Sequence, residues 1–178
     1  MGDFLFNFTE WLRSTFLVDF ALWISDSSLS LWIVTHFWAI PIFQVIHILS
    51  IAAGFGALLM MSLRIFGMAG GGRTIHQTTE RFLPWMWWAL VFLTISGLLM
   101  IVGEPVRELI NPIFWFKMAT IVVMLAVSIG FMNAVRTKAH AGGVDWTASA
   151  GTKTGAFVLI VLWLIIMAGG RWIAYAPV

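Results

Sequence analysis

Four stretches of this chain, Leu29 to Leu63, 82 to 103, 113 to 135 and 154 to 170, are long enough to cross a bilayer and carry a single charged residue between them, Lys117. About 20 apolar residues cover the hydrocarbon core as a helix, and there every backbone polar group must be paired within its own segment. The runs therefore fix the fold class as an all-α membrane protein, a four-transmembrane-helix bundle. Composition agrees: 61% hydrophobic and 10% charged residues is far too apolar for a soluble domain of this size. Cysteine is absent, which excludes disulfides, thiolate metal sites and thiol nucleophiles. The net charge of +2 comes from bases at span ends, where topology accounts for them, so nucleic acid is not an expected partner.

Ahead of the first run, Phe4, Phe8, Trp11, Leu12, Phe16, Phe20 and Trp23 recur at three- and four-residue steps, with Glu10, Arg13 and Asp19 between them. That spacing predicts an N-terminal interfacial amphipathic helix over 4–24. The chain thus divides into an interfacial segment, 1–28, and a single four-helix domain, 29–178. Asp3, Glu10 and Asp19 interrupt the N-terminal stretch, so a cleaved signal peptide is not expected. Pro41 interrupts the first run, and Asn111-Pro112 predicts a helix start, an N-cap followed by proline. Arg64, Arg73 and Arg81 outweigh Glu80 in the first connection, and Arg136, Lys138 and Lys153 outweigh Asp145 in the third. The positive-inside rule then places both connections in the cytoplasm and both termini on the periplasmic side of a bacterial inner membrane.

Counting about 1.5 Å per helical residue from these inner bases gives the depth of the remaining polar groups. His47 lies about 26 Å from Arg64, Glu104 about 35 Å from Arg81, Lys117 about 29 Å from Arg136 and Arg171 about 27 Å from Lys153. Each span delivers one ionisable group toward the outer face. Lys117 and Arg171 are also what snorkelling at a span end produces. His47 differs, because Ile46, Ile48, Leu49 and Ile51 surround it and no boundary calls for an imidazole. An ionisable group within a span faces the bundle interior and marks function, or it is satisfied by Glu104 or a backbone carbonyl. Gly54 shares a face with His47 and Gly97 with Glu104, seven residues apart in each case. Those glycines open a slot for a flat macrocycle, or they serve close helix packing, as Ala52-x-x-x-Gly56 and Ala53-x-x-x-Ala57 do.

Trp38-Ala39-Ile40-Pro41 followed by His47, Leu63-Arg64-Ile65-Phe66-Gly67, Leu83-Pro84-Trp85, Asn111-Pro112-Ile113-Phe114-Trp115-Phe116-Lys117 and Gly170-Arg171-Trp172-Ile173 carry a resemblance that covers most of the chain. The sequence resembles a family of bacterial four-helix membrane proteins without an agreed activity. More distantly it is similar to CopD-like copper-resistance domains and four-helix b-type cytochromes. That similarity implies haem b with His47 as an axial ligand. The cytochromes clamp haem between histidines of two helices, whereas the second, third and fourth spans here hold none. Met100, or an open position on iron, would stand in for the second ligand.

The expected function is a membrane-embedded redox protein, with haem b ligated by His47, seated at Gly54 and Gly97, and its propionates met by Lys117 and Arg171. Copper is the second cofactor to consider, with His36, His47, Glu104 and Met100 as ligands; His36 also reads as a surface histidine among interfacial tryptophans. His76 and His140 read as loop residues, and Gly70-Gly71-Gly72 lacks the setting of a phosphate loop. Expected partners are the lipid bilayer, a second copy of the chain, and a redox partner or lipid-soluble substrate for electron transfer or oxidoreductase chemistry. The alternatives are a non-catalytic copper-handling component and a structural accessory subunit.

Overall fold

Hydroxyl side chains break the N-terminal segment that the aromatic spacing joins. In the computed structural model, which describes residues 2–142 and 148–175, Ser14 Oγ donates to the Trp11 carbonyl at 2.7 Å and Thr15 Oγ1 to that of Leu12 at 2.6 Å. Such local bonds compete with the helical ladder. Helix α1 (Gly2–Arg13) ends there and α2 (Leu17–Ser25) begins afresh. A second break follows at Asp26–Ser27, where Ser27 Oγ accepts from the Ser30 amide and caps α3 (Ser28–Thr35), bent 66° from α2. The single helix expected over 4–24 is therefore divided. Its interfacial character is carried by α1, where Phe4, Phe8 and Trp11 stack in a row with Phe4 and Trp11 exposed and Leu12 buried.

The first apolar run is also divided, but not at Pro41. The chain turns at His36–Trp38, and α4 (Ala39–Phe66) carries Pro41 as its third residue, where a missing N–H forfeits no bond. Helix α5 (Ile75–Gly103) starts earlier than its apolar run because Thr74 and Gln77 form a reciprocal cap ahead of it. A short α6 (Pro105–Leu109) leads into α7 (Pro112–Gly142), and α8 (Ala150–Trp172) ends in a 3₁₀ turn, Ile173–Tyr175. Helices α4, α5, α7 and α8 are the four long and apolar enough to cross a membrane among the described residues. Asp145, the C-terminal 176–178 and the side chains of Arg136, Lys138 and His140 lie outside the described residues.

Two hairpins, α4 with α5 and α7 with α8, meet along α4 and α8. Leu58, Met124, Leu159 and Trp163 pack between them at mid-height. Ile65, Ile75, Val135 and Ala156 close the end that bears Arg64 and Lys153, hereafter the basic end. At the opposite end Ala21, Leu109, Phe114 and Ile173 form a third cluster from α2, α6, α7 and the final turn. Trp85, Trp88, Ile95, Val122 and Ile129 are exposed along the spans, a surface suited to lipid.

Asn111 holds the non-basic end together. It is fully buried; its Oδ1 accepts from the Ile113 amide at 2.9 Å and its Nδ2 donates to the Ile173 carbonyl at 3.2 Å. The cap expected from the sequence thus also ties the start of α7 to the end of α8. Nearby, a Cβ at Gly103 would sit 2.6 Å from Ile40 Cδ1 and 3.0 Å from Ile33 Cγ2, so a larger residue there would have to displace both side chains. Asn111→Ala is expected to lower the unfolding free energy by about 1–2 kcal/mol in detergent, whereas Asn133→Ala on an exposed face leaves it nearly unchanged.

Candidate functional site around His47

His47 reaches from α4 to α5, where its Nδ1 lies 2.9 Å from Ser96 Oγ. The Ser96 hydroxyl is also bonded to the Phe92 carbonyl one turn back. A serine has one proton to give, and the carbonyl can only accept, so Ser96 donates to Phe92 and accepts from His47. This assigns a proton to Nδ1 and, in the neutral ring, the lone pair to Nε2. Nε2 bonds to no described residue, and no buried side-chain nitrogen or oxygen among those residues is left unpartnered, so Nε2 is open rather than sealed. Gly97 supplies the room: the position its Cβ would take is 3.5 Å from the imidazole Cε1. Met100 follows Ser96 by four residues and Gly97 by three, which places it on the same face of α5, one turn nearer α6.

Lys117 comes to this end from α7 and lies along α8, with Nζ 3.6 Å from the position a Cβ on Gly170 would occupy. It makes no hydrogen bond or ion pair with a described residue, and its charge is felt at both His47 and Glu108. Arg171 follows Gly170 directly but is engaged elsewhere, donating to the Tyr175 hydroxyl at 3.0 Å and lying over that ring. Glu108, on α6, adds an acid to the group. Burial pushes its carboxyl above the usual range; Lys117 and Arg107 pull it back and Glu104 adds to the rise.

The remaining expected site residues do not join this group. Glu104, at the end of α5, lies about 12 Å beyond Ser96, the residue His47 meets, and is exposed and held by Arg107, so it forms no part of one layer with His47. Gly54 is buried with Ala89 Cβ and Trp163 Cη2 each 3.2 Å from its absent Cβ; protein fills the space, and the slot does not extend to it. His36 terminates α3, with Nδ1 donating to the Trp32 carbonyl at 2.7 Å and its ring stacked on Trp32 and edge-on to Trp38. His76 pairs with Glu80. Among the described residues, no three His, Asp or Glu side chains gather as a metal ion would need.

Compared with known proteins, the chain matches no family, no curated protein and no solved structure. The geometry around His47 is therefore the part of the molecule from which a function can be read. Two of its members, Ser96 and Glu108, were not singled out by sequence reasoning. Ser96 lies about 22 Å from Arg81 by helical rise, close to the depth of His47, and counting hydroxyls along with charges would have found it. Glu108 sits on a five-residue helix with no periodicity to place it. A double-mutant cycle of H47A and S96A is expected to give a coupling of about 0.6 kcal/mol; strictly additive losses would mean that the contact does not form.

Proposed function

We propose that this chain is a redox protein of the bacterial inner membrane that holds haem b through His47 near the periplasmic face, with both termini on that side. The observation that carries the reading is the His47 imidazole, fixed at Nδ1 by Ser96 and left with an open, lone-pair-bearing Nε2. A metal-ligating histidine characteristically donates its other ring N–H to a neighbouring acceptor, which sets its tautomer and orientation.

The residues present fit haem through one protein ligand. His47 would ligate the iron through Nε2, Gly97 would give clearance beside the ring, and Lys117 would offer an unengaged cation to a propionate. Arg171 would reach a second propionate by giving up Tyr175. Met100 shares the α5 face that carries Ser96 and would be the candidate for a second ligand. Bound haem iron would supply one-electron transfer. The chain's own part is to hold the imidazole neutral and oriented, place positive charge at the membrane face and keep water from the apolar side. A redox partner or lipid-soluble substrate would exchange the electron, and a second copy of the chain is included in the proposal because Gly56 has no described neighbour against its open side. Copper has less support, since His36 is committed to capping α3.

The competing reading is a structural membrane subunit in which Ser96 merely satisfies His47. The packing of Trp163 and Ala89 into the space left by Gly54 favours it.

Oxidised and reduced absorption spectra of the protein purified from haem-replete cells, with iron and copper measured on the same sample, separate the two. The proposal expects a Soret band and about one iron per chain, both lost in H47A while helical content is retained. A wild-type protein without a Soret band, or an H47A variant with full haem, would overturn it. The orientation falls if a reporter fused after Val178 is active only in the cytoplasm.

A further inference from the structure

At the basic end, the connection between α4 and α5 folds over a groove of about 390 Å³ lined by Met60, Arg64, Arg73, Thr78, Arg81 and Phe82, with glycines of the connection. Its three arginines come from three places: the last turn of α4, the connection itself and the second turn of α5. Arg64 is anchored, with Nε donating to the Arg73 carbonyl at 2.6 Å and Cδ lying 3.3 Å from where a Cβ on Gly70 would be. That bond leaves the two terminal nitrogens of its guanidinium for another acceptor. Neither Arg73 nor Arg81 makes a side-chain hydrogen bond or ion pair with a described residue; Arg81 only lies over the Phe82 ring at 6.0 Å. Glu80, the single acid between Arg64 and Arg81, is engaged by His76 at 3.3 Å.

Topology alone calls for basic residues at this end. It does not call for three of them around one groove with no carboxylate among the described lining residues, an arrangement in which like charges repel until an anion enters. Guanidinium groups suit phosphate oxygens in particular, since they offer paired donors in a planar fork. Part of the lining is of opposite character: Met60 and Phe82 belong to the spans α4 and α5 and are apolar. A small soluble phosphate would answer the arginines and leave that half idle. We propose that this groove binds an anionic phospholipid of the adjoining leaflet, its phosphate between the guanidinium groups and its acyl chains along Met60 and Phe82. Basic pockets between spans are the usual form of such sites. The inference is independent of any cofactor at His47, on the opposite end of the bundle.

Native mass spectrometry of the full chain, released from detergent containing equal phosphatidylglycerol and phosphatidylcholine, reads the preference directly. The wild type is expected to retain phosphatidylglycerol over phosphatidylcholine, and R73Q/R81Q to lose that preference by roughly thirtyfold. K153Q, which removes a base from the same end but outside the groove, is expected to keep it, and excess inorganic phosphate is expected to leave the lipid bound. Equal retention of the two lipids by the wild type would overturn the proposal, as would an unchanged preference in R73Q/R81Q. An equal loss in K153Q would reduce the effect to general charge, and displacement by inorganic phosphate would reduce it to anion binding without a lipid; either result also overturns it.

Discussion

Hydrocarbon offers no hydrogen-bond partner, so a polar side chain within a span has to be answered by another part of the protein. His47 is answered by Ser96, and Ser96 by the Phe92 carbonyl. A bond of this kind in a membrane protein is worth about 0.6 kcal/mol, too little to hold two helices together. Side-chain packing does that, with Ala89 of α5 set against Gly54 of α4 and Trp163 of α8 closing over the same glycine. The bond instead selects: it sets which face of α5 meets α4, which nitrogen of the imidazole carries the proton, and which is left open.

The two ends of the bundle are finished differently, and the difference organises the chemistry. At the His47 end, Asn111 ties α7 to the chain after α8, while α2 and α6 pack over the junction. Lys117 is brought there along Gly169 and Gly170 of α8, with no bond to a described residue. At the basic end, among the described residues, the cluster of Ile65, Ile75, Val135 and Ala156 is topped by capped helix starts at Thr74 and Ser149 and a bond from Arg64 to the Arg73 carbonyl. Each end therefore holds cations that no described residue pairs. At the His47 end Lys117 stands near an imidazole with a free nitrogen, and at the basic end Arg73 and Arg81 line an amphiphilic groove.

The four spans were legible because length and apolarity dominate the free energy of placing a helix in lipid. What hydrophobic periodicity does not encode is competition from side chains. Ser14 and Thr15 cut the N-terminal segment by bonding to backbone carbonyls, and His36 stops α3 by bonding to that of Trp32. The α5 start moved from the edge of its apolar run to a polar cap at Thr74 for the same reason. At the candidate site, His47 stood out as an imidazole with no boundary to explain it, and Gly97 as a small residue on an outer face. Their pairing did not, since seven-residue spacing relates Gly97 to Glu104 on its own helix and says nothing of the neighbour it meets. Glu104 falls outside the layer because it lies eight residues beyond Ser96, the residue His47 meets, and Ser96 itself carries no charge to mark its depth.

The state of the His47 ring is read by ¹⁵N NMR of histidine-labelled protein in lipid bilayers, with H47Q to assign the signal. The expected result is a neutral ring protonated at Nδ1 and bare at Nε2 in the cofactor-free protein, with that preference lost in S96A. A ring protonated at Nε2, or one indifferent to Ser96, would contradict it.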